Sequence, residues 1–258
     1  MDAATQRSRI LDQFTRQAIP FTEIPSHSED DTNRLVIETA GLGPDDEVLD
    51  VACGPGLITC EIAKVARHVT GIDLTPAMIE QARLRQERLG LSNMAWRIGD
   101  ASEPLPFPDG TFSAVMTRYS FHHFLDPAKT FGDMVRVCRP GGTVCVTDVF
   151  VSSPEQGAAY DELETLRDPS HVRGLSLAEL TGLFESAGLS ELRTAFYKVE
   201  MEVERILAAS FPNSGDADRV RRLFEEDLGV NRLGLGATRR DGKIMYAYPI
   251  AVLAGRKP

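Results

Sequence analysis

Positive charge, cysteine and long apolar runs are all scarce in this chain, and each shortage removes a class of protein. Lys and Arg total 28 against 38 Asp and Glu over 258 residues, a formal net charge of −10. A broad nucleic-acid footprint needs a basic face, so no nucleic-acid partner is expected. No stretch approaches the ~18 apolar residues of a membrane span, so no membrane span is expected. Residues 1–16 are polar and charged, without the apolar core of a secretory leader. Only four cysteines occur, Cys53, Cys60, Cys138 and Cys145. Each pair encloses six residues, wider than the C-x-x-C loops that zinc sites favour. They read as buried, reduced thiols of a cytoplasmic protein, with no metal site.

What is present is the composition of one large α/β domain, 42% hydrophobic before glycine is counted. From residue 47 onward, apolar runs alternate with amphipathic stretches. Strands are predicted over 48–52, 69–72, 94–98, 112–117 and 143–150. Helices are predicted over 57–65, 76–89 and 127–137, with Thr75 capping and Pro76 in the first turn of the second. Such alternation predicts a parallel sheet wound on both faces. Arg139-Pro140-Gly141-Gly142 reads as the turn between a helix and the next strand. Two helices, 8–18 and 31–40, precede this core. After it come a helix over 176–187 with a Ser176/Glu179 capping box, a strand over 189–199, helices over 203–210 and 216–228, and a last strand over 243–254.

The most informative segment is residues 47–59. An apolar run, 48–52, enters a turn built on Gly54, Pro55 and Gly56, then a helix begins at Leu57. Strand, glycine turn and helix N-terminus together present backbone N–H groups to a ligand. Asp73 ends the next apolar run, about 20 residues on, where nucleotide-binding α/β domains place an acid for ribose hydroxyls. The dinucleotide fingerprint G-x-G-x-x-G is incomplete, because Thr59 stands in place of the third glycine. That glycine permits tight helix packing under a pyrophosphate, so NAD and FAD are disfavoured.

The string Leu49-Asp50-Val51-Ala52-Cys53-Gly54-Pro55-Gly56 resembles motif I of the class I S-adenosylmethionine (SAM)-dependent methyltransferases. Further strings follow in order: Gly71-Ile72-Asp73-Leu74-Thr75-Pro76-Ala77-Met78, Gly99-Asp100-Ala101, Leu105-Pro106-Phe107-Pro108-Asp109-Gly110-Thr111-Phe112, Leu125-Asp126-Pro127 and Arg139-Pro140-Gly141-Gly142. The nearest resemblance is to the ubiquinone/menaquinone-type small-molecule methyltransferases, over roughly residues 45–150. It implies a Rossmann-like, doubly wound, seven-stranded, mostly parallel sheet with helices on both faces. It also implies one domain over 1–258: N-terminal helices forming a lid (1–42), a SAM-binding core (43–150), and an acceptor-side insertion with the last strands (151–258).

The same resemblance implies SAM as cofactor, S-adenosylhomocysteine as product, and a small-molecule acceptor, with a homodimer as a candidate assembly. Asp50 and the Ala52 carbonyl would address the methionine amino end, and Gly54 and Gly56 its carboxylate. Asp73 would take the ribose, Leu74 and Met78 would pack on adenine, and Asp100 with Ala101 would meet the adenine edge. Arg118 completes the cofactor set. Each has a plainer reading beside it: Asp50 as a strand-end hydrogen-bond partner, Asp100 as a turn residue.

The cluster Arg118-Tyr119-Ser120-Phe121-His122-His123-Phe124 follows the fourth strand, where ligands of open α/β sheets lie. His123 or His122 could take a proton from the acceptor. Alternatively the pair only shapes the pocket. Neighbours on a helix do not share a face, so at most one of the two is expected to point at the acceptor. Asp148 could orient a histidine or the acceptor, or equally satisfy a strand-end N–H. Phe14, Phe21, Tyr119, Phe150, Tyr160, Phe196 and Phe211 are candidate pocket walls, although aromatics at such spacing are mostly core. Two other uses of the scaffold remain as alternatives: a reaction such as a cyclisation in which SAM is not consumed, or a SAM sensor.

Overall fold

The computed structural model describes residues 2–23 and 30–258, without the side chains of Phe21, Glu23 and Asp30. Helix α1 (Ala3–Gln17) begins five residues before the predicted start, because the Asp2 side chain caps it by accepting from the Thr5 N–H. Helix α2 (Asp30–Ala40) follows, then β1 (Glu47–Val51), α3 (Leu57–Ala63), β2 (His68–Asp73), α4 (Pro76–Leu89) and β3 (Met94–Ile98). The second half of the core holds β4 (Phe112–Arg118), α5 (Pro127–Val137) and β5 (Cys138–Val151). Beyond it come α6 (Pro154–Arg167), β6 (Leu175–Ser176), α7 (Leu177–Ser186), β7 (Ser190–Glu202), α8 (Val203–Ala209), α9 (Asp216–Asp227), β8 (Thr238–Arg240) and β9 (Lys243–Arg256).

The sheet runs β3-β2-β1-β4-β5-β9-β7, with β6 paired to β5 and β8 to β9. It therefore has nine strands, not the seven expected. The two additions are two and three residues long, too short to leave a period in the sequence. Strands β1 to β5 pair in parallel, and β9 inserts antiparallel between β5 and β7. Strand order reverses between β1 and β4, which opens a crevice at their carboxyl ends.

Central strands are buried on both faces, so they read as continuous apolar runs rather than alternating ones. Val48, Leu49 and Val51 of β1 are wholly buried, each contributing about 1.5–3 kcal/mol by leaving water. One core cluster joins the sheet to α5 and α7, another to α2 and α3. A third sits under α6, α8 and α9.

Two local expectations are corrected. Strand β5 begins at Cys138, so Arg139-Pro140-Gly141-Gly142 lies inside a strand with a register shift opposite Phe112 and Ala114. Thr75 does sit at the cap position of α4, but its hydroxyl makes no cap bond and is buried without a partner. The Ser176/Glu179 capping box of α7 is formed. The four cysteines are free and buried. Among the described residues no helix is long and apolar enough to cross a membrane.

Candidate functional site

Two cavities adjoin at the carboxyl edge of the sheet. The first, about 880 Å³, is lined by Asp50, Ala52, Gly54, Asp73, Leu74, Met78, Asp100, Ala101 and Arg118, together with His123. It thus gathers every residue of the expected cofactor set except Gly56. The second, about 710 Å³, is lined by His122, His123, Asp148, Glu164, Arg167 and Tyr248 among others. Phe14, Tyr119 and His123 belong to both walls.

The floor of the first cavity is the β1–α3 turn. Ala52 and Tyr119, leaving β1 and β4 respectively, both take positive φ, at 55° and 57°. Left-handed backbone at a non-glycine residue costs on the order of 1 kcal/mol and concentrates at functional sites. Gly54 also has positive φ, and a Cβ built there meets nothing within 4 Å. That open space faces the cavity. Gly56 differs: its missing Cβ would come within 2.8 Å of the Trp96 ring and 3.1 Å of Ala82 Cβ. It lies behind the cavity and is required for packing of the turn on α4 and β3.

Asp73 braces this turn. Its two carboxylate oxygens accept from the Gly54 N–H and the Thr75 N–H, each at 2.8 Å. Burial raises its pKa, against these two bonds. Asp50 is fully buried, and one oxygen accepts the Thr59 hydroxyl at 2.6 Å. Its other oxygen, Oδ1, has no protein partner. Burial pushes the Asp50 pKa up to about 7, with the Thr59 bond and the Arg118 charge pulling the other way. Asp100 accepts from the Ser102 N–H at 2.9 Å and pairs with Arg7 at 2.6 Å.

Helix α1 roofs both cavities. Ile10 and Phe14 line the first, Phe14 and Gln17 the second. The Gln6 amide donates to the carbonyls of His123 and Ser170 at 2.8 and 2.7 Å. Of the N-terminal segment expected to form a lid, 1–42, helix α1 takes this position, and residues 1 and 24–29 lie outside the described residues.

The two histidines occupy one short 3₁₀ turn, Phe121–His123, and both reach the second cavity. The expectation that one would face away came from α-helical geometry, which a three-residue turn does not have. Their surroundings separate them instead. His122 Nδ1 lies 2.7 Å from Asp148 Oδ1. Burial opposes charge on His122, but the Asp148 carboxylate outweighs it and holds the pKa above 6.5. His123 Nδ1 lies 3.0 Å from the Ser170 carbonyl. Burial, with the charge of His122 beside it, pushes the His123 pKa down to about 3.

Sequence reasoning missed most of the second cavity. Glu164 and Arg167 ride on α6, for which Ser153 before Pro154 is a cap-and-proline signal. Ile206, Ala209 and Tyr248 come from α8 and β9, and no motif marks them. Of the candidate aromatic walls, Phe14, Tyr119 and Tyr160 line cavities. Phe150 and Phe196 pair on the sheet surface and Phe211 packs under Arg16. The side chain of Phe21 lies outside the described residues.

A family model described as a methyltransferase domain matches residues 49–146. Over 178 residues the chain is 31% identical to the uncharacterized methyltransferase YcgJ of Bacillus subtilis (strain 168), spanning 69% of this chain and 70% of that protein. The crystal structure of YcgJ superposes with a TM-score of 0.80 at 24% identity, covering 89% of this chain and 99% of YcgJ. BH2331 of Bacillus halodurans C-125 superposes with a TM-score of 0.78 at 25% identity, covering 88% and 99%. The [4+2]-cyclase SpnF shares the fold, with a TM-score of 0.61 at 22% identity over 89% of this chain and 80% of that one. The chain belongs to the class I SAM-dependent methyltransferases, and SAM is its cofactor. The residues present fit that group: Asp50 Oδ1 is a buried acceptor without a protein partner, and the space beside Gly54 is clear.

Proposed function

We propose that this enzyme moves the methyl group of SAM to a small-molecule acceptor held in the second cavity, with His122 as the proton acceptor. One observation carries the reading: the first cavity shares the walls Phe14, Tyr119 and His123 with a second, and His122, backed by Asp148, lines that second cavity. When bound, SAM would supply a methyl group on a cationic sulfur for transfer to the acceptor, with S-adenosylhomocysteine as the other product.

The chain's own residues divide the remaining work. Asp50 Oδ1 and the Ala52 carbonyl take the methionine amino end, with Gly54 and Arg118 at its carboxylate. Gly56 serves by letting the turn pack on Trp96. Asp73 takes the ribose hydroxyls while holding the turn. Leu74 and Met78 pack on adenine, and Asp100 with Ala101 meets its edge. His122 Nε2 takes the acceptor's proton, because Asp148 holds Nδ1 and fixes the tautomer. His123, kept neutral by burial, shapes the junction and leaves the base role to its neighbour. Alignment of acceptor and methyl supplies the rest, a contribution of several kcal/mol in such sites. The chain is one domain over 1–258, in which α1 is the lid and the acceptor-side segment after residue 150 builds the second cavity. The free buried thiols support a cytoplasmic setting.

The test uses SAM carrying a tritiated methyl and fractionated metabolite pools. Label leaving SAM for a small molecule, in step with S-adenosylhomocysteine formation, supports the reading. Label that stays on SAM through turnover selects a cyclisation-type reaction, and SAM bound with no product from any pool selects a sensor.

A further inference from the structure

The lining of the second cavity holds three carboxylates, Asp148, Glu164 and Asp168, and one guanidinium, Arg167. With His122 and His123 neutral, two negative charges are in surplus, and one remains when His122 is protonated. Just behind the lining, Arg118 over the Tyr119 ring and Asp161 beside His171 offset each other. Donors hold each carboxylate ionised. Asp148 accepts from the Phe121 N–H at 2.6 Å and the Val149 N–H at 2.7 Å, besides facing His122. Glu164 accepts from the Tyr248 hydroxyl at 2.9 Å and from Arg167 Nε and Nη2 at 2.8 and 2.5 Å. Asp168 accepts from the Ser170 N–H at 2.8 Å, the Ser170 hydroxyl at 2.6 Å and the Gln17 amide at 3.4 Å. Such bonds favour the charged form. Burial opposes charge on all three, yet each pKa lies below its ordinary value.

These bonds satisfy lone pairs without cancelling charge. Glu164 has Arg167 as a counter-ion, and Asp148 has the His122 ring, a cation only while protonated. Asp168 makes no ion pair among the described residues. All three acids are buried, so water screens them little. Their own desolvation belongs to folding, so an entering cation loses only its own hydration. The rest of the lining suits the body of such a ligand. Phe14, Tyr160 and Tyr248 are aromatic, and aromatic faces attract ammonium groups. Ile206 and Ile250 are apolar.

We propose that the acceptor is an amine with an apolar body, which enters the second cavity as its ammonium and is held there by the surplus negative charge, with Asp168, the carboxylate without a counter-ion, determining the preference. The proposal rests on the reading of the second cavity as the acceptor site and of His122 as the base. The ammonium gives one proton to His122 Nε2. Its freed lone pair forms the N–CH₃ bond as the S–CH₃ bond breaks, and the electron pair of that bond leaves with S-adenosylhomocysteine. The products are the methylated ammonium, S-adenosylhomocysteine and the proton that His122 returns to solvent.

Three ligands on one frame test it on the protein loaded with S-adenosylhomocysteine. They are phenethylamine, an ammonium at neutral pH, 2-phenylethanol, which is neutral, and 3-phenylpropanoate, an anion. Calorimetry should show phenethylamine binding at least about tenfold more tightly than 2-phenylethanol, and 3-phenylpropanoate more weakly than either, as a surplus of buried negative charge demands. Asp168→Asn keeps the shape and an acceptor for Ser170 and removes the charge. It should cost about tenfold in phenethylamine affinity and leave binding of 2-phenylethanol and S-adenosylhomocysteine unchanged; a merely structural role would weaken both probes alike. Asp168→Glu retains the charge and should retain the preference. An alcohol or carboxylate that binds as well as the amine overturns the proposal. So does an Asp168→Asn variant that keeps the preference, or failure of all three ligands to bind while S-adenosylhomocysteine binds normally. Ala209→Phe fills the cavity and separates the two readings: unchanged phenethylamine binding in that variant would place the ligand elsewhere and sink the cavity assignment itself.

Discussion

Thr59 donates its hydroxyl to Asp50 at 2.6 Å, wholly buried, from the first turn of α3 to the end of β1. The residue that breaks the dinucleotide fingerprint therefore has a task of its own. It satisfies one oxygen of a buried carboxylate and leaves the other, Oδ1, for a ligand.

Thr59→Val removes that donor and keeps the shape. Asp50 sits at about pKa 7 with the Thr59 bond holding it down, so the variant's Asp50 should titrate higher. Only the carboxylate pairs with the cofactor's ammonium, so SAM affinity should rise with pH through about 7 in the wild type and through a higher value in the variant. At pH 7 the loss should be roughly tenfold, the effect of one hydrogen bond to a charged group. Calorimetry across pH 6 to 9 measures it. Parallel pH profiles in the two proteins would separate Asp50 from cofactor binding.

Asp73→Ala should do two things at once. SAM affinity should fall at least tenfold, because charge-assisted bonds to the ribose are worth ~1.5–3 kcal/mol each. Stability should also fall, by about 1–3 kcal/mol, because the Gly54 and Thr75 N–H groups lose their acceptor. Thermal unfolding without ligand reads the second effect. A variant with reduced stability but normal SAM affinity would leave Asp73 as a brace alone.

His122→Ala should lower turnover by ~10²–10⁴-fold with S-adenosylhomocysteine affinity intact. Only neutral imidazole accepts a proton, and Asp148 holds the His122 pKa above 6.5, so the rate should rise with pH through a value above 6.5. Asp148→Asn removes the carboxylate charge and should move that limb to lower pH. His123, at about 3, is neutral across this range and should contribute no limb. The sign for stability is opposite: the raised pKa favours the folded protein below pH 6.5, and that contribution is lost as pH rises through the folded-state value. A limb unmoved in Asp148→Asn would count against the pair.

The inner face of α1 carries Gln6, Gln13 and Gln17, all buried. Gln6 and Gln13 donate to backbone carbonyls and Gln17 to the Asp168 carboxylate; such bonds hold a helix down with little apolar area, so the roof can lift at modest cost. Deuterium exchange of residues 3–17 should slow when S-adenosylhomocysteine binds. Gln6→Ala, which removes two bonds to the His123 and Ser170 carbonyls, should speed exchange of α1 in the unliganded protein. Equal exchange with and without ligand would make α1 ordinary surface structure.

The lining of the first cavity was legible because its signals are local. Strand, glycine turn and helix lie within about a dozen residues; Asp73 ends β2, and Asp100 follows β3 by two residues. Helix α4 and strand β3 match their predicted bounds for the same reason. Even there, the motif misstated one reason. Gly56 reads as a ligand glycine, yet Trp96 and Ala82, from other elements, are what require it.

By itself the sequence determined the strand–helix alternation, the crevice at the carboxyl ends of the strands, the acids that line the first cavity, and the family. Those follow from short-range periodicity and from residues neighbouring one another along the chain. Only the tertiary structure decided which histidine has a carboxylate partner, since Asp148 lies 26 residues from His122 along the chain and 2.7 Å away in space. It alone brought Glu164 of α6 and Tyr248 of β9, 84 residues apart, onto one wall. Contacts of that separation depend on strand order and helix docking, which no local spacing encodes.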